Sequence, residues 1–311
     1  MPSEDSATEK ISAKSYTEKS LFIPLNGTDR LHLKRFCGGE KGPVAFLLHG
    51  SIENGKIFYS SSGKGFAPYL ASLGFDVFIA DLRGRGQSTP PIGRNSDYGL
   101  TESINEELPA FINEIKRIRG DVPQHWIAHS WGGILLLCYY ARNPKAAKIS
   151  SMVFFATKRR ITVKGWKKFW ILNVSYNLLF RLVIALRGFV ETKWFRAGSD
   201  NETAKARQQT YDWVTKEEWK GEDGFDYAKT LQNMKLPPIL FLAGTNDEVL
   251  GHHSDVKLLM EEIQQSNSEF YLAGKSSGNL HDYDHISLLT YHDAPKDHFP
   301  YVVQWMQKQN R

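Results

Sequence analysis

Ser130 lies between two apolar runs of the sequence, and its position could make it a nucleophile. Residues 126–128 have the pattern of a buried strand, and residues 134–140 have the pattern of a buried helix. A serine at such a junction is held on a tight, strained turn with its Oγ projecting above the sheet. Ala128 and Gly132 suit that turn because they are small where the strand and helix backbones nearly touch. The positive end of the helix dipole would then favour an alkoxide or an oxyanion beside the serine.

Two further strand-like runs end in motifs that favour this interpretation over a turn that contains a serine by chance. Residues 44–48 are apolar and lead into His49-Gly50-Ser51, and residues 75–80 are apolar and lead into the sequence DLRGRGQS at 81–88. In order and spacing, these motifs resemble the α/β-hydrolase fold family. In that family a strand ending in HG and a strand ending in D-x-R-G-x-G-x-S precede the serine turn. The resemblance covers nearly the whole chain after its first twenty residues.

The resemblance implies partners for Ser130, since a serine hydroxyl needs a base that is itself oriented by an acid. In the family the chain order is serine, acid, histidine. Asp247 lies in a G-x-x-D-x-V sequence that resembles the surroundings of the family's acid, and Glu248 is the competing candidate. His285 precedes the last apolar stretch, where similar lipases carry the base, and His281 is its main alternative.

The resemblance also implies an oxyanion hole made of two backbone N–H groups, those of Ser51 after HG and of Trp131 after the serine. No metal or organic cofactor is expected. The sequence has no H-E-x-x-H spacing, and the adjacent His252 and His253 are expected to point apart on a helix. A serine at the turn, rather than a carboxylate, argues against haloalkane dehalogenase or epoxide hydrolase chemistry.

The composition of the 311 residues, with 41% hydrophobic and 23% charged residues, is that of an ordinary globular protein. A net charge of +5 without a recognisable binding motif predicts no nucleic-acid partner. The two cysteines, Cys37 and Cys138, predict no disulfide framework and a reducing, cytoplasmic location. Residues 1–20 are polar, lack the apolar core of a secretory signal, and are predicted to form a disordered tail.

Apolar periodicity outlines the elements that must position these residues. A hairpin turned at Asn26-Gly27 is expected first, followed by strand-like runs that alternate with helical ones. The helices are expected near residues 66–73, 101–119, 255–265 and 295–308. This alternation predicts an α/β fold with a mostly parallel sheet covered by helices on both faces. The hydrolase core is predicted to comprise residues 21–157 and 236–311.

Residues 158–235 interrupt this alternation, at the point where the family inserts a helical cap over the active site. From Lys158 to Val190 there is no Asp or Glu, and basic residues are interleaved with aromatic and aliphatic ones. Trp166, Phe169 and Trp170 are predicted to bind substrate in an apolar acyl pocket beneath this cap. Its basic edge is a candidate for peripheral contact with an anionic membrane, and the alternative is a lid whose cations are only solvated.

These features together predict a serine hydrolase that cleaves carboxylic esters or thioesters with an apolar acyl part. The expected partner is a small-molecule or lipid-like ester. A peptidase resembling proline iminopeptidases is a second interpretation, which an acidic cluster in the cap would favour. A non-catalytic binding protein with the same fold is a third, and it would be favoured by triad atoms that lie out of reach of one another.

Overall fold

The computed structural model describes residues 16–165, 179–193 and 198–309. It contains an eight-stranded sheet in the order β1-β2-β4-β3-β5-β6-β9-β10. The strands are β1 Thr17–Pro24, β2 Arg30–Cys37, β3 Val44–Leu48, β4 Asp76–Asp81, β5 Gln124–His129, β6 Ile149–Phe155, β9 Ile239–Gly244 and β10 Ser268–Ala273. Strand β2 pairs antiparallel with β1 and β4, and the remaining pairs are parallel. The predicted mostly parallel sheet is thereby confirmed.

Helices pack on both faces of this sheet. They are α1 Phe66–Ser72, α2 Leu100–Glu102, α3 Leu108–Arg119, α4 Trp131–Arg142, α5 Phe180–Arg187, α6 Ala204–Thr215, α7 Tyr227–Gln232, α8 His253–Ile263, α9 Ser287–Thr290 and α10 Phe299–Lys308. Phe46 of β3 packs in a cluster with residues of α3, α4 and α8, whereas the next residue, Leu47, packs in a second cluster with residues of α1 and α10. Successive side chains of a strand point to opposite faces, so strand β3, which is buried on both faces, is apolar throughout.

Several element boundaries differ from the sequence expectations, and three of these differences have an identifiable cause. Strand β1 begins at Thr17, inside the predicted tail, because Thr17 to Ser20 pair with Cys37 to Lys34 of β2. Thr101 is expected to cap the helix that runs to residue 119, but the cap is Gly99, whose N–H donates to the Glu102 carboxylate at 2.6 Å, and Thr101 lies inside the helix. The last helix begins at Phe299 rather than 295, because Asp297 leaves helical geometry to accept hydrogen bonds from Asn279 and Tyr283.

The segment between β6 and β9 carries helices α5, α6 and α7. It also contains a short antiparallel pair, β7 Phe189–Val190 with β8 Glu202–Thr203, although the sequence pattern predicts no strand there. Predicted cap residues 166–178 and 194–197 lie outside the described part of the chain. Across the described ranges, none of the helices is both long enough and apolar enough to span a bilayer.

Candidate active site

Ser130 lies on a sharp corner between the end of β5 and the start of α4. Its backbone φ is 49°, a left-handed value that is strained for any residue with a Cβ. The Ser130 N–H donates to the Phe155 carbonyl oxygen at 2.7 Å, and Thr157 Oγ1 donates to the Ser130 carbonyl oxygen at 2.9 Å. A Cβ on Gly132 would lie 2.5 Å from the His49 carbonyl oxygen, so the close approach expected from the sequence requires glycine there.

The structure brings Ser130, His285 and Asp247 together in a continuous hydrogen-bonded relay. His285 Nε2 lies 3.0 Å from Ser130 Oγ, and His285 Nδ1 lies 2.6 Å from Asp247 Oδ2. Asp247 follows the end of β9, and His285 lies in the long loop after β10. All three residues are buried, with exposed fractions between 4% and 9%. This is the geometry in which a histidine can take the proton of a serine hydroxyl while a carboxylate orients the ring.

The protonation states of the pair suit that chemistry. Burial lowers the pKa of His285 below its ordinary value, although the hydrogen bond to Asp247 opposes the shift. Burial alone would raise the pKa of Asp247, but the hydrogen bond and charge of His285 outweigh it and lower that pKa. At neutral pH, Asp247 is therefore a carboxylate that accepts from His285 Nδ1–H, and the unprotonated Nε2 is free to accept the Ser130 proton.

The competing candidates from the sequence lie elsewhere. His281 Nε2 is 2.9 Å from Asp293 Oδ2, so this imidazole is paired with a different carboxylate. Glu248 is exposed, whereas Asp247 beside it is buried. His252 and His253 do not point apart as expected, since their ring centroids are only 4.2 Å from each other. The reason is that His252 is the N-cap of α8 and lies outside the helical repeat.

The two predicted oxyanion donors, Ser51 and Trp131, line the same cavity as Ser130 and His285. Trp131 is the first residue of α4, where a backbone N–H has no acceptor within the helix. The loop that carries Ser51 packs closely against the nucleophile. A Cβ on Gly50 would lie only 2.9 Å from Ser130 Cβ. The Ser51 hydroxyl itself donates to Glu202 Oε2 at 2.6 Å, so the proposed donor is the backbone N–H of this residue and not its side chain.

A buried ion pair, which no motif in the sequence predicts, contacts the loop that bears His285. His129 Nδ1 lies 2.8 Å from Glu53 Oε2, and His129 Nε2 lies 2.9 Å from the His285 carbonyl oxygen. Both partners are acceptors, so both ring nitrogens of His129 carry protons. The Glu53 carboxylate also accepts from the Gly50 N–H at 2.9 Å. The pair therefore links three segments: the loop after β3, the end of β5 and the loop that bears His285.

The pKa values of this pair follow from its contacts. Burial would raise the pKa of Glu53, but the charge and hydrogen bond of His129 outweigh burial and lower it from 4.5 to about 2. Burial would lower the pKa of His129, and the same interaction with Glu53 raises it. The only sequence signal for this pair is the histidine directly before Ser130. Nothing in the sequence links it to Glu53, since 76 positions separate the two residues.

Glu53, His129 and His285 are also the one group in the described ranges whose side-chain atoms lie close enough to ligate a metal, within 4.8 Å of one another. Both imidazole nitrogens of His129 already contact protein oxygens, and those of His285 contact Ser130 and Asp247. The ring nitrogens of both histidines are thus already hydrogen-bonded to protein oxygens. This arrangement favours acid–base chemistry rather than ligation of a cation.

A cavity of about 710 Å³ opens at Ser130. One side is lined by residues of the segment between β6 and β9, among them Lys158, Ile161, Lys193, Thr210, Tyr211 and Val214. The predicted substrate-binding residues Trp166, Phe169 and Trp170 lie outside the described residues, so their contact with substrate stays a prediction.

Several known proteins resemble this chain. Gastric triacylglycerol lipase of Bos taurus is 22% identical over an alignment of 357 positions, gaps included, which covers 97% of this chain and 87% of the lipase. Bifunctional epoxide hydrolase 2 of Rattus norvegicus is 29% identical over 141 residues, which cover 41% of this chain and 23% of that protein. The structure of a thermophilic esterase from Thermogutta terrifontis superposes with a TM-score of 0.57 at 13% identity, covering 94% of this chain and 100% of the esterase. The family profile described as alpha/beta hydrolase fold matches residues 43–272, most of the sequence, and the chain therefore belongs to the α/β-hydrolase fold family.

Proposed function

We propose that this protein is a serine hydrolase that cleaves carboxylic esters or thioesters. The observation that carries the proposal is the relay from Ser130 Oγ through His285 to Asp247, with its contacts of 3.0 and 2.6 Å. The likeness to a triacylglycerol lipase over nearly the whole chain supports an ester substrate. The relay also argues against the epoxide hydrolase alternative, because Ser130 stands where that chemistry needs a carboxylate nucleophile.

In the proposed mechanism, Ser130 Oγ attacks the ester carbonyl carbon as its proton passes to His285 Nε2. Asp247 stabilises the resulting imidazolium. The backbone N–H groups of Ser51 and Trp131 donate to the oxyanion of the tetrahedral intermediate, and each such donor is typically worth about a hundredfold or more in rate. His285 then protonates the leaving group, and a water molecule activated by the same base hydrolyses the acyl-enzyme.

We propose that the acyl part of the substrate is apolar. Six aliphatic side chains line the cavity beside Ser130, namely Ile52, Ile57, Ile161, Val214, Leu250 and Ile286. Burial of each substrate methylene group among such side chains is worth about 0.8 kcal/mol, or nearly fourfold in kcat/KM when the transition state realises it. Activity should therefore increase with acyl length until the chain fills the cavity.

The peptidase interpretation requires an acidic group in the inserted segment that is free to bind a substrate amino terminus. Two buried acids of this segment lie near the cavity, Asp200 and Glu202. Each already has a cationic partner, since Asp200 Oδ1 lies 2.5 Å from Lys193 Nζ and Glu202 pairs with Arg85. Acids neutralised in this way leave no net negative charge for an ammonium group, which supports the ester hydrolase over the peptidase.

A series of p-nitrophenyl esters from acetate to decanoate tests this proposal, with Ser130→Ala as the control. We expect kcat/KM to rise steeply from acetate to medium chain lengths, by up to about fourfold per methylene, and we expect no enzymatic release of p-nitrophenol by Ser130→Ala. A flat chain-length profile would contradict the apolar acyl pocket. Equal activity of the wild type and Ser130→Ala would contradict the serine mechanism itself.

We also propose peripheral contact with an anionic membrane through helix α5. This helix exposes Leu182 and Leu186, by 56% and 73% respectively, next to the exposed cations Arg181 and Arg187. Apolar side chains flanked by cations are typical of helices that lie in a lipid interface. Vesicles rich in phosphatidylserine should bind the wild-type protein and bind Leu186→Glu much more weakly, with an affinity that falls as salt rises. Binding that Leu186→Glu retains in full would contradict this orientation.

A further inference from the structure

Lys158 is a buried cation at the wall of the cavity. It follows β6 by three positions, is 5% exposed, and lines the cavity together with Ser130 and His285. Its ammonium group has no hydrogen bond and no ion pair with any residue in the ranges 16–165, 179–193 and 198–309. Its one specific contact there is with the ring of Trp131, whose centroid lies 5.9 Å from Lys158 Nζ. A buried ammonium without a counter-ion is costly to keep, so its retention at this position calls for a partner.

Three carboxylates act on the charge of Lys158 from a distance, and none of them is paired with its ammonium group. Asp247 is bonded to His285, and Glu53 is bonded to His129. Asp255 Oδ1 accepts from the backbone N–H of Thr162 at 2.9 Å and from its hydroxyl at 2.5 Å, while Asp255 Oδ2 has no hydrogen-bond partner among the described residues. Burial lowers the pKa of Lys158, and these three carboxylates only partly oppose that shift. None of them lies within ion-pair distance of the ammonium group.

Arg159, the residue after Lys158, is a buried cation that is fully hydrogen-bonded within the protein. Its guanidinium donates to Glu262 and to the carbonyl oxygens of Trp213, Lys216 and Glu217. Lys193, another lysine at the cavity, is paired with Asp200. Lys158 is thus distinguished from both by its lack of a partner among the described residues.

We propose that Lys158 binds a carboxylate carried by the substrate, an inference that rests on the proposed ester hydrolysis. The natural substrates are then esters that bear one anionic group in addition to the scissile bond. One buried ammonium matches the single charge of a carboxylate, and the aliphatic walls accept the carbon chain between the two functional groups. Because Lys158 lies against Trp131, the residue after the nucleophile, the carboxylate binds within a short chain length of the reacting carbonyl.

The test compares two p-nitrophenyl esters of adipic acid, one with a free terminal carboxylate and one with that carboxylate capped as a methyl ester. Assays at about pH 8 keep His285 neutral, so its titration does not enter the comparison. In the wild type, kcat/KM for the free carboxylate should exceed that for the capped ester by about tenfold or more, as a buried charge-assisted hydrogen bond provides.

Lys158→Met retains the length of the side chain and removes its charge. It should abolish the preference for the free carboxylate, so that the ratio of kcat/KM for the free acid to kcat/KM for the capped ester approaches one. Its melting temperature should equal or exceed that of the wild type, because an unpaired buried charge has been removed. The matched control is Lys145→Met, which makes the same charge change at an exposed position beyond the end of α4 and should keep the preference.

Binding to Ser130→Ala separates this inference from the proposed hydrolysis, since that variant binds esters without cleaving them. Calorimetry should show that the free-carboxylate ester binds it about tenfold or more tightly than the capped ester, and that adding Lys158→Met removes the difference. If this affinity difference is present but the wild type cleaves neither ester, the hydrolase proposal fails and the carboxylate site stands. Equal affinities, or an unchanged preference in Lys158→Met, would overturn the carboxylate site.

Discussion

Replacement of Glu53 by Gln tests the buried ion pair beneath the nucleophile. The contact of 2.8 Å between Glu53 Oε2 and His129 Nδ1 is a principal cause of the low pKa of this carboxyl group, about 2 instead of 4.5. A lowering of that size corresponds to about 3 kcal/mol of stabilisation of the folded protein at neutral pH. Removal of one partner from a buried pair typically costs roughly 3–5 kcal/mol, because the other partner is left uncompensated. Glu53→Gln should therefore lower the free energy of unfolding by about 3 kcal/mol at pH 7.

The pH dependence of this loss has a definite sign. Because the pKa of Glu53 is depressed in the folded protein, its stabilisation is complete above pH 4.5 and is lost as the pH falls towards 2. The pKa of His129 is raised, so its share of the same interaction is present below its ordinary pKa of 6.5 and is lost as the pH rises through the higher folded value. The stability difference between wild type and Glu53→Gln should thus be largest between these limits and shrink below pH 4.5.

Urea denaturation followed by tryptophan fluorescence, at pH 7 and at several values below pH 4.5, measures this difference. Glu114→Gln is the control, because Glu114 pairs with the largely exposed Arg117 and such surface pairs contribute about 0–1 kcal/mol. If Glu53→Gln unfolds within about 1 kcal/mol of wild type at pH 7, or if the difference does not change with pH, the buried ion pair is not the stabilising element described above.

Three further outcomes follow from the site. His285→Ala should lower kcat by several orders of magnitude, while His281→Ala, whose imidazole faces Asp293, should keep most of the activity towards p-nitrophenyl esters. The acid limb of the kcat/KM profile should have its midpoint below 6.5, since burial lowers the pKa of His285, and a midpoint above 6.5 would contradict that assignment. Gly132→Ala should lower the melting temperature strongly, because its Cβ would meet backbone oxygen at 2.5 Å, whereas Gly93→Ala has open space and should melt like the wild type.

Much of the site could be predicted from the sequence because its residues follow buried strands. The carboxyl ends of parallel strands meet at one edge of a sheet, so Ser51 after β3, Ser130 after β5 and Asp247 after β9 come together once the strands are identified. The sequence does not separate His285 from His281, because both lie in the loop after β10 and each has a carboxylate partner in the structure. Only the path of that loop distinguishes them.

The remaining features depend on contacts that leave no local pattern. The Glu53–His129 pair joins residues 76 positions apart, and the sequence around each residue contains no pattern that predicts an ion pair. Lys158 and Arg159 are adjacent members of one basic segment of the sequence. In the structure Arg159 makes several hydrogen bonds, whereas Lys158 makes none with the described residues. Strand β1 could not be extended to Thr17 from polar residues alone, because its pairing with β2 overrides their weak strand preference.

Covalent labelling with a fluorophosphonate probe tests the central claim, that Ser130 is an activated nucleophile, most directly. The wild-type protein should gain the mass of one probe, and peptide mapping should assign it to Ser130. Labelling should be absent in Ser130→Ala and much slower in His285→Ala, because the base lies 3.0 Å from the hydroxyl it activates. A label that persists in Ser130→Ala, or that maps to another serine in the wild type, would contradict the assignment of Ser130 as the nucleophile.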